Sequence, residues 1–397
     1  MMAFMFQAKP ISATEDGSLV SAARIEESSL RGVINDAIIQ SFDLSPDGKT
    51  VAILAVAGSK VGAPLWLVIE DVSTKQVTSS RELGPSTFGS GGFSAQVLYS
   101  SDQQYLVIQD LQTIRVFDSK NLTATRTISA PSNKEGLFPL FVMGAGNKDI
   151  FVCVFGPQQK LDLTFHPTPV HLEIVDVSSG NLIGDWASED VPQSISPNGD
   201  LIAVSSWQTL RPVLPLNVFD TQGKKIAELT GDFSFKKVTD QSKPLGRVMG
   251  LFLDTQELLL TSDERIDQSG HLSGENLEIV TITGKEAQKI KPRHYASTGE
   301  MAISRDSKTI VAISWYTPAR ALAQEHAVLP ASSPELLVFE RGTSVHMDTS
   351  LPIHGLGLKA SGWLENRRPR LSLDGAVIAL AQDNGITIFV RKGAKSH

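Results

Sequence analysis

The sequence predicts an all-β protein built from one short unit that recurs seven times. Each unit has an apolar stretch, a tight polar turn and a second apolar stretch, from 42–54 (FDLSPDGKTVAIL) to 371–381 (LSLDGAVIALA). A unit of this size cannot bury its own apolar faces, so it must stack against copies of itself. Successive turns lie roughly 45 to 70 residues apart, which leaves room for four short strands per unit. The expected fold is therefore a seven-bladed β-propeller of four-stranded antiparallel blades.

The first turn of each unit is rich in Asp, Asn and Gly. Asp and Asn tolerate the left-handed backbone region and Gly enters it freely, so we expect hairpins with two-residue connections between the first and second strands. The turns read SPDGK at 45–49, SSDQQ at 100–104, GAGNK at 144–148, SPNGD at 196–200, LDTQE at 253–257, SRDSK at 304–308 and SLDGA at 372–376.

The later strands of each unit differ in polarity. The second strand is apolar on both sides, as in VAILAVA (51–57), which is expected when neighbouring sheets cover both faces. The third strand often ends in a hydrophobic residue, Phe and Asp, as in TIRVFD (113–118) and LNVFD (216–220). A more polar fourth strand then follows as the outer edge of the blade.

The ends of these third strands carry a resemblance to a known family. Val116-Phe117-Asp118, Val175-Asp176 and Val218-Phe219-Asp220 resemble the Trp-Asp position of WD repeats with the Trp replaced. The Gly-His pair of true WD repeats is missing, and the looser bacterial propellers of the YVTN type are the nearer match. The resemblance covers nearly the whole chain from about residue 18 and implies the propeller fold. It implies no function, because this superfamily includes scaffolds, binding proteins and enzymes.

The two ends of the chain predict how the ring closes. The seventh unit stops after its third strand at Val390, so its fourth strand must come from elsewhere. GSLVSAARIE (17–26) has the length and mixed polarity of an outer strand, and we expect an N-terminal strand within about 17–30 to complete the last blade. Residues 1–16 are then a leader and 17–397 a single propeller domain. The alternative is that the whole N-terminal segment is disordered.

Composition excludes several classes of protein. Apolar residues make up 41% and charged residues 20%, which is enough to bury a large core. The net charge of −7, without a clustered basic stripe, argues against a nucleic-acid partner. No apolar run approaches the length of a membrane helix, so we expect no membrane insertion, and the free protein is expected to be a monomer. The single cysteine, Cys153, is predicted to be an inert core residue and leaves both the cytoplasm and an exported location open.

Motifs of known chemistry are absent from the sequence. Gly48-Lys49-Thr50 resembles the end of a phosphate-binding loop, but Asp43 stands where that loop needs its first glycine. His166 and His171 have a spacing that suits no common metal pair, and scattered loop histidines are more often structural. The sequence therefore predicts no cofactor and no metal site.

Insertions in the repeat fall at one position. The connections between the second and third strands lengthen to 156–171, 207–215, 263–276 and 315–335, whereas the other hairpin turns stay short. Alternate connections of an up-and-down blade lie on opposite faces of the disc. The insertions therefore crowd one face, together with links between blades such as 230–246 and 352–370. Long loops on a rigid scaffold commonly carry binding sites.

The long loops contain aromatic and basic residues suited to recognition, because aromatic rings give rigid contact area and arginine gives forked donors. The candidate binding residues are Trp207, Arg211, Arg265, His271, Trp315, Tyr316, Arg320, His326 and Trp363. The alternative is that Trp207 and Trp315 cap the blades they follow and that the arginines are solvated.

Two functional hypotheses follow from the sequence. The first is a non-catalytic scaffold whose long-loop face binds a protein, peptide or glycan; the absence of catalytic motifs favours it. The second is a propeller enzyme of the lactonase or hydrolase type, with a site at the mouth of the central channel. The candidate acids, bases or metal ligands of such a site are Glu135, Asp190, Asp240, His294 and Glu300.

Overall fold

Seven four-stranded antiparallel sheets make up the fold, as seen in a computed structural model. The inner strands of successive sheets contact one another in chain order and the last contacts the first, so the sheets close into a ring. The predicted seven-bladed β-propeller is confirmed. The structure describes residues 19–392, apart from 61, 87–94, 111–112, 130–135, 158–168, 206–214, 231–246, 264–276, 291–295, 317–333, 354–367 and 383.

The strands run from the centre of the ring outward in chain order within each blade. Blade 1 contains β2 (Ala37–Leu44), β3 (Thr50–Ala57), β4 (Pro64–Asp71) and β5 (Gln76–Pro85). Blade 2 contains β6 (Gln96–Tyr99), β7 (Tyr105–Gln109), β8 (Ile114–Asp118) and β9 (Ala124–Ile128). Blade 3 contains β10 (Leu137–Gly144), β11 (Ile150–Pro157), β12 (Val170–Asp176) and β13 (Leu182–Ser188). Blade 4 contains β14 (Val191–Ile195), β15 (Leu201–Ser205), β16 (Leu216–Asp220) and β17 (Lys225–Leu229).

The remaining blades follow the same order until the ring closes. Blade 5 contains β18 (Arg247–Phe252), β19 (Glu257–Asp263), β20 (Leu277–Thr281) and β21 (Glu286–Ile290). Blade 6 contains β22 (Ala296–Ile303), β23 (Thr309–Tyr316), β24 (Pro334–Arg341) and β25 (Val345–Pro352). Blade 7 contains β26 (Arg370–Leu371), β27 (Val377–Gln382) and β28 (Gly385–Arg391), with β1 (Leu19–Glu26) as its outer strand.

The N-terminal strand closes the ring, as predicted. β1 pairs antiparallel with β28, from Leu19 opposite Arg391 to Glu26 opposite Gly385. Ile25 is fully buried and packs in the cluster shared by blades 7 and 1. A 3-10 helix at Glu27–Gly32 then leads to β2, and the first and last parts of the chain are joined in one sheet.

The first turn of each blade is larger than the two-residue connection expected from the sequence. In blade 1, the Gly48 N–H donates to the Ser45 carbonyl at 2.8 Å, and Gly48 itself has a φ of 71°. The Ser45 hydroxyl accepts from the Thr50 N–H at 2.9 Å and donates to Asp47 at 2.7 Å. The extra residues form this serine–aspartate network, and a two-residue turn is too short to contain it. Equivalent serine networks are formed at Ser100, Ser196, Ser304 and Ser372.

Side chains of the inner strands tie neighbouring blades together. Gln96 of blade 2 accepts from the Val142 N–H of blade 3 at 2.9 Å, and Ser194 of blade 4 donates to the Gly250 carbonyl of blade 5 at 2.9 Å. Cys153 is fully buried on β11, in agreement with its predicted place in the core. Among the described residues, no helix is long and apolar enough to cross a membrane.

Candidate functional site

The two faces of the ring differ in the length of their connections. On the tight-turn face, defined by the turns between first and second and between third and fourth strands, each connection between described strands is a short hairpin. On the opposite long-loop face, the second and third strands of blades 3 to 6 are joined by residues 158–169, 206–215, 264–276 and 317–333. The corresponding segments of blades 7, 1 and 2 are only 383–384, 58–63 and 110–113. The long segments therefore leave from four consecutive blades, on one side of the ring.

Two of the candidate binding residues lie in a strand and not in a loop. Trp315 and Tyr316 are the last residues of β23, and Trp315 pairs with Ser297 on β22 and with Pro334 on β24. The sequence placed the loop too early because the strand pairing continues on both sides of these aromatic residues. The other candidates, Trp207, Arg211, Arg265, His271, Arg320, His326 and Trp363, are outside the described residues.

Two other residues from the sequence analysis have structural partners. His171, expected in a loop, lies on β12 with 1% of its surface exposed, and its Nε2 is 2.6 Å from an Asp185 oxygen. Asp190 lies in the short link between blades 3 and 4 and accepts a hydrogen bond from Asn217 at 3.3 Å. Both side chains therefore hold strands together.

The side chains of the other proposed catalytic residues lie outside the described part of the chain, so their convergence stays a prediction. Glu300 lies on β22, and its side chain is outside the description, as are the residues Glu135, Asp240 and His294. No group of His, Cys, Asp or Glu side chains within the described ranges has the arrangement of a metal site. The enzyme hypothesis stays a prediction.

A cavity occupies the central channel near the tight-turn face. It has a volume of about 210 Å³, and inner strands of all seven blades line it. Its exposed wall is about half polar and half apolar, and the charged residues among its lining are Asp43, Arg305, Arg368 and Arg370. Asp43 and Arg370 occupy equivalent positions on adjacent blades, two residues before the first turn. The cavity thus combines apolar side chains with three arginines and one aspartate.

Asp43 is held by groups from both neighbouring blades. Its Oδ2 accepts from the Tyr99 N–H of blade 2 at 2.7 Å, and its Oδ1 lies 3.6 Å from the Arg370 Nε of blade 7. Burial raises the pKa of Asp43, although the positive charge of Arg370 opposes the increase. This carboxylate is therefore engaged in joining three consecutive blades.

Arg305 crosses the channel. It is the second residue of the first turn of blade 6, and its Nη1 donates to the Ser100 carbonyl of blade 2 at 3.2 Å. Blades 6 and 2 are not neighbours in the ring, so this contact spans the central opening. Burial lowers the pKa of the guanidinium, with Asp43, Asp149 and Asp102 acting in the opposite direction. The result is a partly desolvated positive charge at the tight-turn end of the channel.

Sequence reasoning missed this cluster because it sought binding residues only in the long loops of the opposite face. One signal was present in the aligned turns. The residue after the first serine is Pro46, Ser101, Pro197 or Leu373 in four of the serine-containing turns, and Arg305 is the charged exception.

Comparisons with known proteins support the fold. No family model matches the chain, and no curated protein sequence matches it. A WD-repeat propeller chain in the crystal structure of a mitotic checkpoint complex is similar at 14% identity and a TM-score of 0.52, with 98% of each chain covered. A chain of hydrazine synthase from Kuenenia stuttgartiensis is similar at 13% identity and a TM-score of 0.54, covering 91% of this chain and 98% of the other. At these identities the likeness concerns the fold alone.

The class of protein follows from the ring of seven four-stranded blades and the closing N-terminal strand, and these neighbours agree with it. The protein has the fold of the WD-repeat-like, seven-bladed β-propellers.

Proposed function

We propose that this protein is a non-catalytic scaffold that binds a protein or peptide partner on its long-loop face. The observation that carries the proposal is the asymmetry of the two faces. The tight turns are occupied by their own hydrogen bonds, whereas long segments leave the opposite face from four consecutive blades. A rigid disc with variable loops on one side is a common way to present a binding surface.

The sequence positions of the candidate residues agree with this surface. Seven of the nine belong to the second-to-third-strand connections of blades 4 to 6 or to the link that follows blade 6, and Trp315 and Tyr316 end the strand that leads into the blade 6 connection. Trp, Tyr and Arg are the residue types that contribute most often to binding hot spots. The checkpoint-complex neighbour is part of a protein assembly, which favours a protein partner over a glycan.

The proposal can be tested by cross-linking and affinity capture of partners from a lysate of the host, with the natural protein and with point variants. Trp315→Ala and Arg320→Ala should weaken capture of the same partner and leave the melting temperature unchanged. The matched control is Lys224→Ala, an exposed residue in a tight turn of blade 4, which should retain the partner. A variant in which a short turn such as 383–384 replaces 317–333 should lose the partner altogether.

Three results would contradict the proposal. Equal loss of the partner from the Lys224 variant would place the contact on the other face. A lowered melting temperature of the Trp315 variant, with capture retained, would show that this residue caps its blade. Capture of a glycan in place of a protein would change the class of partner.

A further inference from the structure

The cavity in the central channel has an excess of positive groups. Its charged lining consists of three arginines, Arg305, Arg368 and Arg370, and one aspartate, Asp43. Apolar side chains such as Leu98, Met143 and Leu251 form part of the remaining wall, which also contains polar groups such as Gln193 and Ser194. A positive charge that has lost part of its contact with water is costly unless an anionic group lies close to it.

The nearby carboxylates are engaged by other groups. Asp43 accepts from the Tyr99 N–H and lies 3.6 Å from the Arg370 Nε. Asp149 accepts from the Ser101 hydroxyl at 2.7 Å, and Asp102 accepts from the Ser100 hydroxyl at 2.7 Å. Arg305 forms no ion pair within 4.0 Å among the described residues. Its charge is balanced only at longer range.

The local turn does not require an arginine at position 305. Ser304 donates to Asp306 at 2.6 Å and accepts from the Thr309 N–H at 2.9 Å. The turn of blade 1 has the same network with Pro46 in the equivalent position. Stability of the hairpin therefore does not account for the partly buried guanidinium.

Most of the donor capacity of Arg305 is left over. A guanidinium has five N–H donors, and in the described part of the chain Arg305 uses one group, Nη1, on the Ser100 carbonyl. Arg305 and Ala302 are only partly buried, so surface of both remains accessible at the cavity. Two parallel N–H groups of an arginine match the two oxygens of a carboxylate.

We propose that this cavity binds a small organic monocarboxylate. The carboxylate accepts hydrogen bonds from Arg305, and its short aliphatic body lies against the apolar wall formed by residues such as Leu98, Met143 and Leu251. The volume of about 210 Å³ suits a small molecule and is too small for a folded partner. A single negative charge fits better than a phosphate dianion, because Asp43 lies close to Arg370 and Arg305 offers one positive charge that no carboxylate pairs within the described residues. This site is separate from the long-loop face.

Ligand-observed NMR titration of the full chain with butyrate tests the inference. Butyramide is the neutral probe of the same shape, and inorganic phosphate is the second anion. We expect butyrate to bind with a dissociation constant on the order of 1 mM, and butyramide and phosphate to bind much more weakly. Arg305→Gln should weaken butyrate binding roughly tenfold or more, because it removes the charge-assisted hydrogen bonds. The matched control is Lys308→Gln, an exposed charge in the same turn, which should bind butyrate like the natural protein.

A second variant keeps the test decisive if Arg305→Gln does not fold. Ala302→Leu leaves the arginine in place and fills part of the cavity, and it should abolish butyrate binding with the fold intact. The inference is overturned if butyrate and butyramide bind alike, if phosphate binds in preference to butyrate, or if butyrate binding survives in Arg305→Gln. Retained binding in a folded Ala302→Leu variant also overturns it.

Discussion

Replacement of Ile25 by alanine measures how strongly β1 holds the ring closed. Ile25 is fully buried on β1, in a cluster that includes Ile386 and Ile388 of β28 and Leu30 of the following 3-10 helix. Truncation of a buried isoleucine to alanine costs about 2–5 kcal/mol, from lost burial and from the cavity that remains. Val20 lies on the same strand with 41% of its surface exposed and provides the matched control.

The expected change in melting temperature follows from chain length. At about 2.1 cal/mol/K of unfolding entropy per residue, a chain of 397 residues has an entropy of roughly 0.8 kcal/mol/K. If the ring unfolds as one cooperative unit, Ile25→Ala should lower the melting temperature by about 2–6 °C. Val20→Ala should change it by about 1 °C or less, since exposed substitutions have small effects.

Scanning calorimetry with far-UV circular dichroism provides the assay. Deletion of residues 1–30 removes the whole pairing of β1 with β28 and should lower the melting temperature further than Ile25→Ala. An unchanged melt of the deletion variant would show that β1 does not hold the ring. Equal small shifts for Ile25→Ala and Val20→Ala would refute the packing argument for this strand.

Three further predictions concern stability. Burial tends to raise the pKa of Asp254, but the hydrogen bond from Arg341 and local backbone N–H groups outweigh this effect and lower the pKa below 3.8. The stability that this carboxylate contributes is therefore present above about pH 4 and lost as the pH falls. Asp254→Asn should remove that loss in denaturation curves measured from about pH 7 to about pH 3. Ser304→Ala should cost about 1–2 kcal/mol in urea denaturation, because the buried Thr309 N–H loses its acceptor; an unchanged midpoint would contradict this. Burial raises the pKa of Glu70 above 4.5, so the stability of the fold should decrease as the pH rises through the native pKa of this group. Glu70→Gln should remove this pH dependence and be more stable than the natural protein near neutral pH. A less stable variant would be the contrary result.

The blades could be predicted because their signals are local. The apolar run of β3 and the turn at 45–49 lie next to each other in the chain and recur in each unit, so sequence alone indicates the strands and their antiparallel order. The face that carries the long connections also followed, since it depends only on which hairpin position contains the extra residues.

Strand ends and turn geometry were less predictable. Trp315 and Tyr316 extend β23 because Trp315 has pairing partners on β22 and β24, and such partners are distant in sequence. The serine networks of the first turns need more residues than a two-residue hairpin, although the Ser and Asp that form them were visible at Ser45 and Asp47.

The sequence by itself determined that this chain forms a seven-bladed ring closed by its N-terminal strand. The strand pattern recurs in seven units, and the seventh unit lacks a fourth strand that the N-terminal segment can supply. Only the tertiary structure decided what meets in the central channel. Arg305 and Ser100 are 205 residues apart and come into contact because the ring closes. Asp43 and Arg370 likewise meet because the first and last blades are neighbours. Contacts of this kind depend on the geometry of all seven blades at once, and no local pattern encodes them.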